Sequence, residues 1–182
     1  MTIQIAWYHE RPLDSVVDDL RSVYQAVFTQ PPWNEPQSAV DAFPERITKH
    51  AQRSGFRCWV ATATETGRVA GFAYGFQTTP GEWWHDTVTA GLPPDTIQRW
   101  FTNAFELVEL AVHPHYQGRG VGSALHTHIV QHAAPHPIVT STDEHDNPAV
   151  QFYRQRGWHV VRAGFHYPGH SETSLILGFT TL

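Results

Sequence analysis

The segment Gln117-Gly118-Arg119-Gly120-Val121-Gly122-Ser123 constrains this chain most. Its three glycines lie between an apolar run, Phe105 to Val112, and a run with helical character, Gly120 to Ala133. Glycine lets backbone approach a ligand without a Cβ in the way. The first turn of a helix aims N–H groups and the positive end of the helix dipole at one spot, which suits an anion. Together these features predict a cradle for a diphosphate. The P-loop lysine and the six-residue dinucleotide fingerprint are both absent. The same glycines also fit a plain strand-to-helix turn. What adds weight is their place directly after Leu110-Ala111-Val112-His113-Pro114.

The rest of the chain supplies an α/β frame for that turn. Ile3 to Tyr8 reads as a first strand, and Leu13 to Phe28 has apolar residues at helical spacing up to the stop at Pro31-Pro32. A second helix is expected within Gln37 to Gln52, with Pro44 a candidate break. Phe56–Thr64 and Arg68–Phe76 read as strands joined by a turn at Glu65-Thr66-Gly67. Thr79 to Asn103 reads as a long aromatic loop with at most one short helix. Then follow a strand at Phe105–Val112, the helix after the glycines and a strand at Ile138–Thr142. A helix opens with Asn147 as N-cap and Pro148 in its first position, and strands at Trp158–Tyr167 and Ser174–Thr180 complete the order. The expectation is one domain over 1–182, with a mixed sheet of about seven strands flanked by helices.

Charge and cysteine content narrow the function classes. Twelve basic against seventeen acidic residues give −5, a poor default for binding nucleic acid. The one cysteine, Cys58, excludes an intrachain disulfide and a cysteine zinc cluster, and suits a reducing cytoplasm. Met1 to Trp7 lacks a basic segment leading into an apolar core, and no apolar run approaches the ~18 residues of a membrane span, so neither secretion nor a membrane is expected.

At this point the chain resembles a known family. Glu-Leu-Ala-Val-His-Pro-His-Tyr-Gln-Gly-Arg-Gly-Val-Gly at 109–122, within Leu107 to Leu125, is similar to the acyl-CoA-binding motif of the GNAT superfamily of N-acetyltransferases. Asn147 through Gly157-Trp158, with Phe152-Tyr153 inside it, resembles the family's Asn…Phe-Tyr…Gly-Phe segment. The insertion at about 79–103 departs from the minimal family pattern.

The resemblance implies a GNAT-like acyltransferase fold with acetyl-CoA as acyl donor. It places the donor's diphosphate on the backbone of Gly118, Arg119, Gly120, Val121, Gly122 and Ser123, with Gln117 fixing the loop. The pantetheine arm would run along Leu110, Ala111 and Val112, and Asn147 would touch the donor as well as cap its helix. Tyr153 would face the sulfur as general acid; its plain alternative is packing on the sheet.

A primary amine is mostly protonated at neutral pH, so attack on a thioester needs a base. Glu106 and Glu109 stand in an otherwise apolar strand, where desolvation should raise a carboxylate's pKa. Glu106 also has the spacing from Gln117 at which some family members carry a catalytic glutamate. On a regular strand the two face opposite sides. Water, or exposure at a sheet face, is the alternative for each.

Trp33 and Glu35 could hold a cationic amine by ring face and charge, or form a rigid turn. Trp83 and Trp84, beside His85 and Asp86, either wall an acceptor site or make a satellite core or dimer contact. His128 and His132 have a ligand spacing, but nothing in their helix completes a set, so no metal is expected. Cys58 shows no histidine partner, which argues against an acyl-cysteine. The expectation is an acetyl-CoA-dependent N-acetyltransferase working by direct attack in a ternary complex on a small-molecule amine, as a monomer or homodimer. The rival is a non-catalytic acyl-CoA-binding sensor or interaction module on the same fold.

Overall fold

A computed structural model describes residues 2–9, 13–145 and 147–181. Met1 and Leu182, the bounds of the expected single domain, lie outside the described residues. The chain divides into two compact units, Met1–Phe76 with Val108–His132, and Gln77–Leu107 with Ala133–Leu182.

In the first unit strand β1 (Ile3–Tyr8) leads through a short 3-10 turn (Leu13–Ser15) to helix α1 (Val17–Phe28) and helix α2 (Gln37–His50). Strands β2 (Arg57–Ala63) and β3 (Arg68–Gln77) follow. β1, β2 and β3 pair antiparallel, and the β2–β3 register slips between Ala61 and Thr62. The apolar faces of the helices, Leu20, Val23, Tyr24 and Val27 with Val40, Phe43 and Ile47, are buried in one core with Phe72 and Tyr74 of β3. That is the periodicity of the sequence realised.

Pro44 does not break α2. Proline supplies no N–H to the carbonyl four residues earlier. Here that carbonyl, Val40 O, accepts from Arg21 Nε at 3.4 Å, while Arg21 also pairs with Asp41 at 2.5 Å. A side chain from α1 thus replaces the missing backbone donor.

Strand β4 (Phe105–Val112) passes from the second unit to the first. It is followed by a 3-10 turn (Pro114–Tyr116) and helix α5 (Val121–Ala133). The strand order is β1-β2-β3-β4-β5-β7-β6, with β5 at Ile138–Asp143, β6 at His159–His166 and β7 at Thr173–Phe179. β4 and β5 are parallel and the β5–β7 and β7–β6 pairs antiparallel, which is the expected mixed seven-stranded sheet with flanking helices.

The expected loop at 79–103 is instead two helices, α3 (Trp83–Thr89) and α4 (Pro94–Phe101). Its prolines mark helix boundaries rather than irregular chain: Pro94 occupies the first turn of α4, where the missing N–H costs nothing. Val88, Trp100 and Phe101 are buried in a second core with Ala104, Val139, Phe165 and Ile176. Trp100 fits because Gly178 of β7 has no side chain: a Cβ there would lie 2.4 Å from the indole.

Candidate functional site

The glycine turn belongs to the first unit. Leading into it, β4 comes very close to β3: a Cβ on Gly71 would lie 2.7 Å from Ala111 O, and the His113 N–H donates to Ala70 O at 2.9 Å. Tyr116, buried and edge-on to His113 and His115, anchors the turn. Gln117 Nε2 donates to Val112 O at 3.0 Å, tying the loop back to its strand. This supplies a physical reason for the glutamine. It also engages the Val112 carbonyl.

Gly118 and Gly120 hold φ of +70° and +83°, the left-handed region that side chains resist. Neither would place a Cβ within 4 Å of another heavy atom, so the turn faces open space. The Ala124 N–H donates to Gly120 O at 3.0 Å, so Val121, Gly122 and Ser123 precede it as first-turn donors. Val121, Leu125 and Ile129 are buried and fix α5 from below. Open space over glycines, beside the positive end of a thirteen-residue helix, fits a diphosphate.

The same unit gathers a buried polar cluster around Glu109. Arg46 and His50, one helical turn apart on α2, reach it with Tyr24 of α1 and Tyr74 of β3. Arg46 donates to Glu109 Oε1 at 2.8 Å, and the Tyr74 hydroxyl donates to the same oxygen at a weak 3.5 Å. Arg46 also lies over the Tyr24 ring, 5.1 Å from its centroid. Glu109 Oε2 is buried and has no hydrogen-bond partner among the described residues. The Glu109 side chain is 12% exposed and that of Arg46 is 32%.

Burial raises the Glu109 pKa to about 7, against the pull of Arg46, with the charge of Glu35 adding to the rise. The field of Glu35 thus reaches Glu109, and Trp33 packs edge-on to Phe28 against the first core. His50 is pushed down to about 4 by burial and by nearby Arg46, Arg53 and Lys49, so it is neutral at neutral pH. Its Nδ1 lies 3.2 Å from the Tyr74 hydroxyl. Cys58 is fully buried, and burial with the field of Glu109 pushes its thiol well up, which opposes a thiolate nucleophile.

The second unit holds the other candidates. Helix α6 (Pro148–Arg154) opens as its sequence predicts: Asn147 Oδ1 accepts from the N–H groups of Ala149 and Val150 at 2.9 and 3.0 Å. Asn147 Nδ2 donates to Asp143 O at 3.1 Å. Tyr153 is 7% exposed and packs on Trp158. Burial raises its phenol to about 12, partly countered by a hydrogen bond with Thr140, so it is protonated at neutral pH. Glu106 is 7% exposed, and its charge is felt at Tyr167. Trp84 donates its indole N–H to the Tyr167 hydroxyl at 2.8 Å and packs on the second core. Trp83 is 64% exposed and stacks on the Tyr167 ring.

Of the sequence candidates, the first unit therefore holds Glu109 within the field of Glu35, and separately the glycine turn with Leu110, Ala111 and Val112. Glu106, Tyr153, Asn147, Trp83 and Trp84 belong to the second unit. Sequence reading missed Arg46, Tyr74, His50 and Gly71. The i, i+4 spacing of Arg46 and His50 was visible, but Arg46's partner Glu109 lies 63 residues on in the chain and His50's partner Tyr74 lies 24 residues on. His128 and His132 lie on α5, where His132 is edge-on to Trp59. Among the described residues no group of three or more His, Cys, Asp or Glu could hold a metal ion, and no helix is long and apolar enough to cross a membrane.

Comparison with solved structures defines the class first. A GNAT-family protein from Desulfovibrio desulfuricans superposes with a TM-score of 0.70 at 18% identity over 100% of both chains. NAA60 of Arabidopsis thaliana in complex with acetyl-CoA gives a TM-score of 0.65 at 16% identity over 99% of both chains. These likenesses establish the fold of an acetyltransferase. The family model for the acetyltransferase (GNAT) family matches residues 17–158, and the chain belongs to that family. It is also 37% identical over 120 residues to the GCN5-like protein acetyltransferase Rv2170 of Mycobacterium tuberculosis. That match takes in 62% of this chain and 58% of the relative, so the chain spans little more than half of that protein's length.

Proposed function

We propose that this protein is an acetyl-CoA-dependent N-acetyltransferase that acetylates a primary amine by direct attack in a ternary complex. The observation that carries the proposal is the glycine turn, whose left-handed Gly118 and Gly120 face open space at the start of α5. The backbone of Gly118 to Ser123 holds the donor's diphosphate, with Gln117 fixing the loop. Leu110, Ala111 and Val112 are the backbone against which the pantetheine arm lies.

Glu109 is the better base of the two strand glutamates. Its pKa of about 7 leaves it able both to accept an ammonium proton and to release it. Glu35 and Trp33 attract the cationic acceptor. In the reaction the amine nitrogen bonds to the thioester carbonyl carbon after Glu109 takes one ammonium proton. The carbon–sulfur bond then breaks as the adduct nitrogen gives its second proton to solvent, and Tyr153 gives its phenolic proton to the departing thiolate and is reprotonated from solvent. Asn147 keeps the start of α6 in place; Trp83 and Trp84 are proposed as walls of the acceptor pocket.

A net charge of −5 and the carboxylates Glu109 and Glu35 support a small cationic amine as acceptor. The name of the mycobacterial relative, a protein acetyltransferase, favours a protein amine as second reading. The working form is proposed to be cytoplasmic, one domain over 1–182, monomeric or homodimeric, with no nucleic acid, membrane or metal required.

The test is release of CoA thiol from acetyl-CoA with a panel of polyamines, aminoglycosides, amino acids and peptide N-termini. Turnover with a small amine is expected. Turnover with peptides alone moves the acceptor to protein. Acetyl-CoA binding by calorimetry without turnover on any amine leaves the sensor module in its place.

A further inference from the structure

We propose that His113 is a positioning residue for the donor's diphosphate turn: its neutral imidazole caps the bend that aims Gly118 to Ser123, and protonation of the ring releases that hold. The proposal rests on the reading of this turn as the acetyl-CoA site.

His113 follows β4 at the point where the chain leaves the sheet. Its N–H donates to Ala70 O of β3 at 2.9 Å, which fixes its backbone. Pro114 has no N–H to give. The first donor of the 3-10 turn is therefore the His115 N–H, and it donates to His113 Nδ1 at 3.2 Å. The His113 carbonyl accepts from the Tyr116 N–H at 2.8 Å. Tyr116 lies edge-on to both imidazoles, with its hydroxyl 3.4 Å from Thr66 Oγ1 in the turn between β2 and β3. Gln117 comes next and leads into the glycines. One ring thus closes the bend between the backbone proposed for the pantetheine arm and the amides proposed for the diphosphate.

A backbone N–H can donate to Nδ1 only while that nitrogen keeps its lone pair, so neutral His113 carries its proton on Nε2. A protonated imidazole has an N–H on both nitrogens. Two donors would then face each other at Nδ1, and the cap is lost. Among the described residues, the charged and titratable groups set against the ring are His115 and Tyr116 of its own turn and Arg68 of β3. Burial, His115 and Arg68 all push the His113 pKa below its ordinary 6.5, the direction this arrangement requires. The folded protein favours the neutral ring, so the cap is complete above pH 6.5 and is lost as pH falls through the lower folded value. A positive charge on His113 would by itself attract the diphosphate. It stands on a partly exposed ring, where solvent and salt screen it, so loss of the cap outweighs that attraction.

The experiment titrates acetyl-CoA calorimetrically into wild type, His113→Asn and His113→Ala at about pH 8 and about pH 5, and reads the His113 tautomer from the nitrogen shifts of the labelled imidazole. Asparagine keeps an acceptor for the His115 N–H and does not titrate; alanine removes it. At the higher pH, His113→Asn should bind within about twofold of wild type and His113→Ala roughly fivefold more weakly. At the lower pH wild type should fall to the level of His113→Ala, leaving His113→Asn roughly fivefold tighter than both. Titration of the donor's own phosphates is common to all three proteins and cancels in these ratios. The shifts should show Nδ1 unprotonated at the higher pH. A protonated Nδ1 there overturns the proposal, as does a ratio of wild type to His113→Asn that stays flat or turns in favour of wild type as pH falls. These two readouts decide the matter even if His113→Ala does not fold. Full acetyl-CoA binding with a flat ratio sinks the His113 role alone. Wild-type protein with no affinity for acetyl-CoA at the higher pH removes the donor reading and this inference with it.

Discussion

The two glutamates of β4 stand three residues apart and meet different chemistry. Glu109, in the first unit, is held by Arg46 and Tyr74, with one oxygen left without a hydrogen-bond partner among the described residues, and its pKa rises to about 7. Glu106, in the second, is buried on the strand segment that still pairs with β5, and acts on Tyr167. Both are carboxylates in one apolar strand. What marks Glu109 is what other elements of its unit bring: α2 supplies a guanidinium and β3 a phenol. Residue type and strand position nominate a base; the neighbours decide whether its proton affinity is useful.

The largest expected effect tests that contrast. Glu109→Gln should lower kcat by two orders of magnitude or more, within the general-base range of about 10²–10⁴, while Glu106→Gln should cost far less. The Glu109→Gln loss should shrink at high pH, where the amine deprotonates unaided. A pH-independent loss points to structural damage, and a larger effect at Glu106 reverses the assignment. Arg46→Met should move the acidic limb of the rate profile to higher pH, because Arg46 holds the Glu109 proton affinity down.

Stability should carry the same signature. The folded pKa of Glu109 lies above its unfolded value, so its contribution is fully present below about pH 4.5 and is lost as pH rises through about 7. The difference is on the order of 3 kcal/mol for this mostly buried group. Urea melts at pH 4.5 and 8 should show that decline in wild type and a flatter dependence in Glu109→Gln. Equal slopes in the two proteins would mean that Glu109 titrates near its usual value.

A smaller effect is expected at the glycine turn. Gly120→Ala strains a φ of +83° without adding charge, whereas Gly120→Glu adds both. Calorimetry should show acetyl-CoA affinity falling severalfold for the first and at least tenfold further for the second. Equal losses would reduce the turn's role to backbone geometry, with no anion bound there.

Much of this was legible in the sequence because it depends on local chemistry. The Asn147-Pro148 helix start, the apolar faces of α1 and α2, and the glycines ahead of α5 all act within a few residues of themselves. The turn was readable for the same reason: φ above zero and first-turn N–H groups are properties of a short segment. The segment 79–103 misled, because its prolines and glycines announce turns, while the burial of Val88, Trp100 and Phe101 that makes two helices worthwhile depends on partners such as Gly178 and Ile176. Pro44 misled likewise, since the donor that spares α2 is Arg21 on another helix.

The sequence by itself determined the family, through its likeness at 109–122 and 147–158, and the fold class, through periodicity; it also placed a left-handed glycine turn ahead of α5, a backbone conformation that few other residues tolerate. Tertiary structure alone decided that Glu109 holds its proton near neutrality. A carboxylate's pKa is set by desolvation, hydrogen bonds and nearby charge, and for Glu109 the partners are Arg46, Tyr74 and the field of Glu35, none of them its neighbour in the chain.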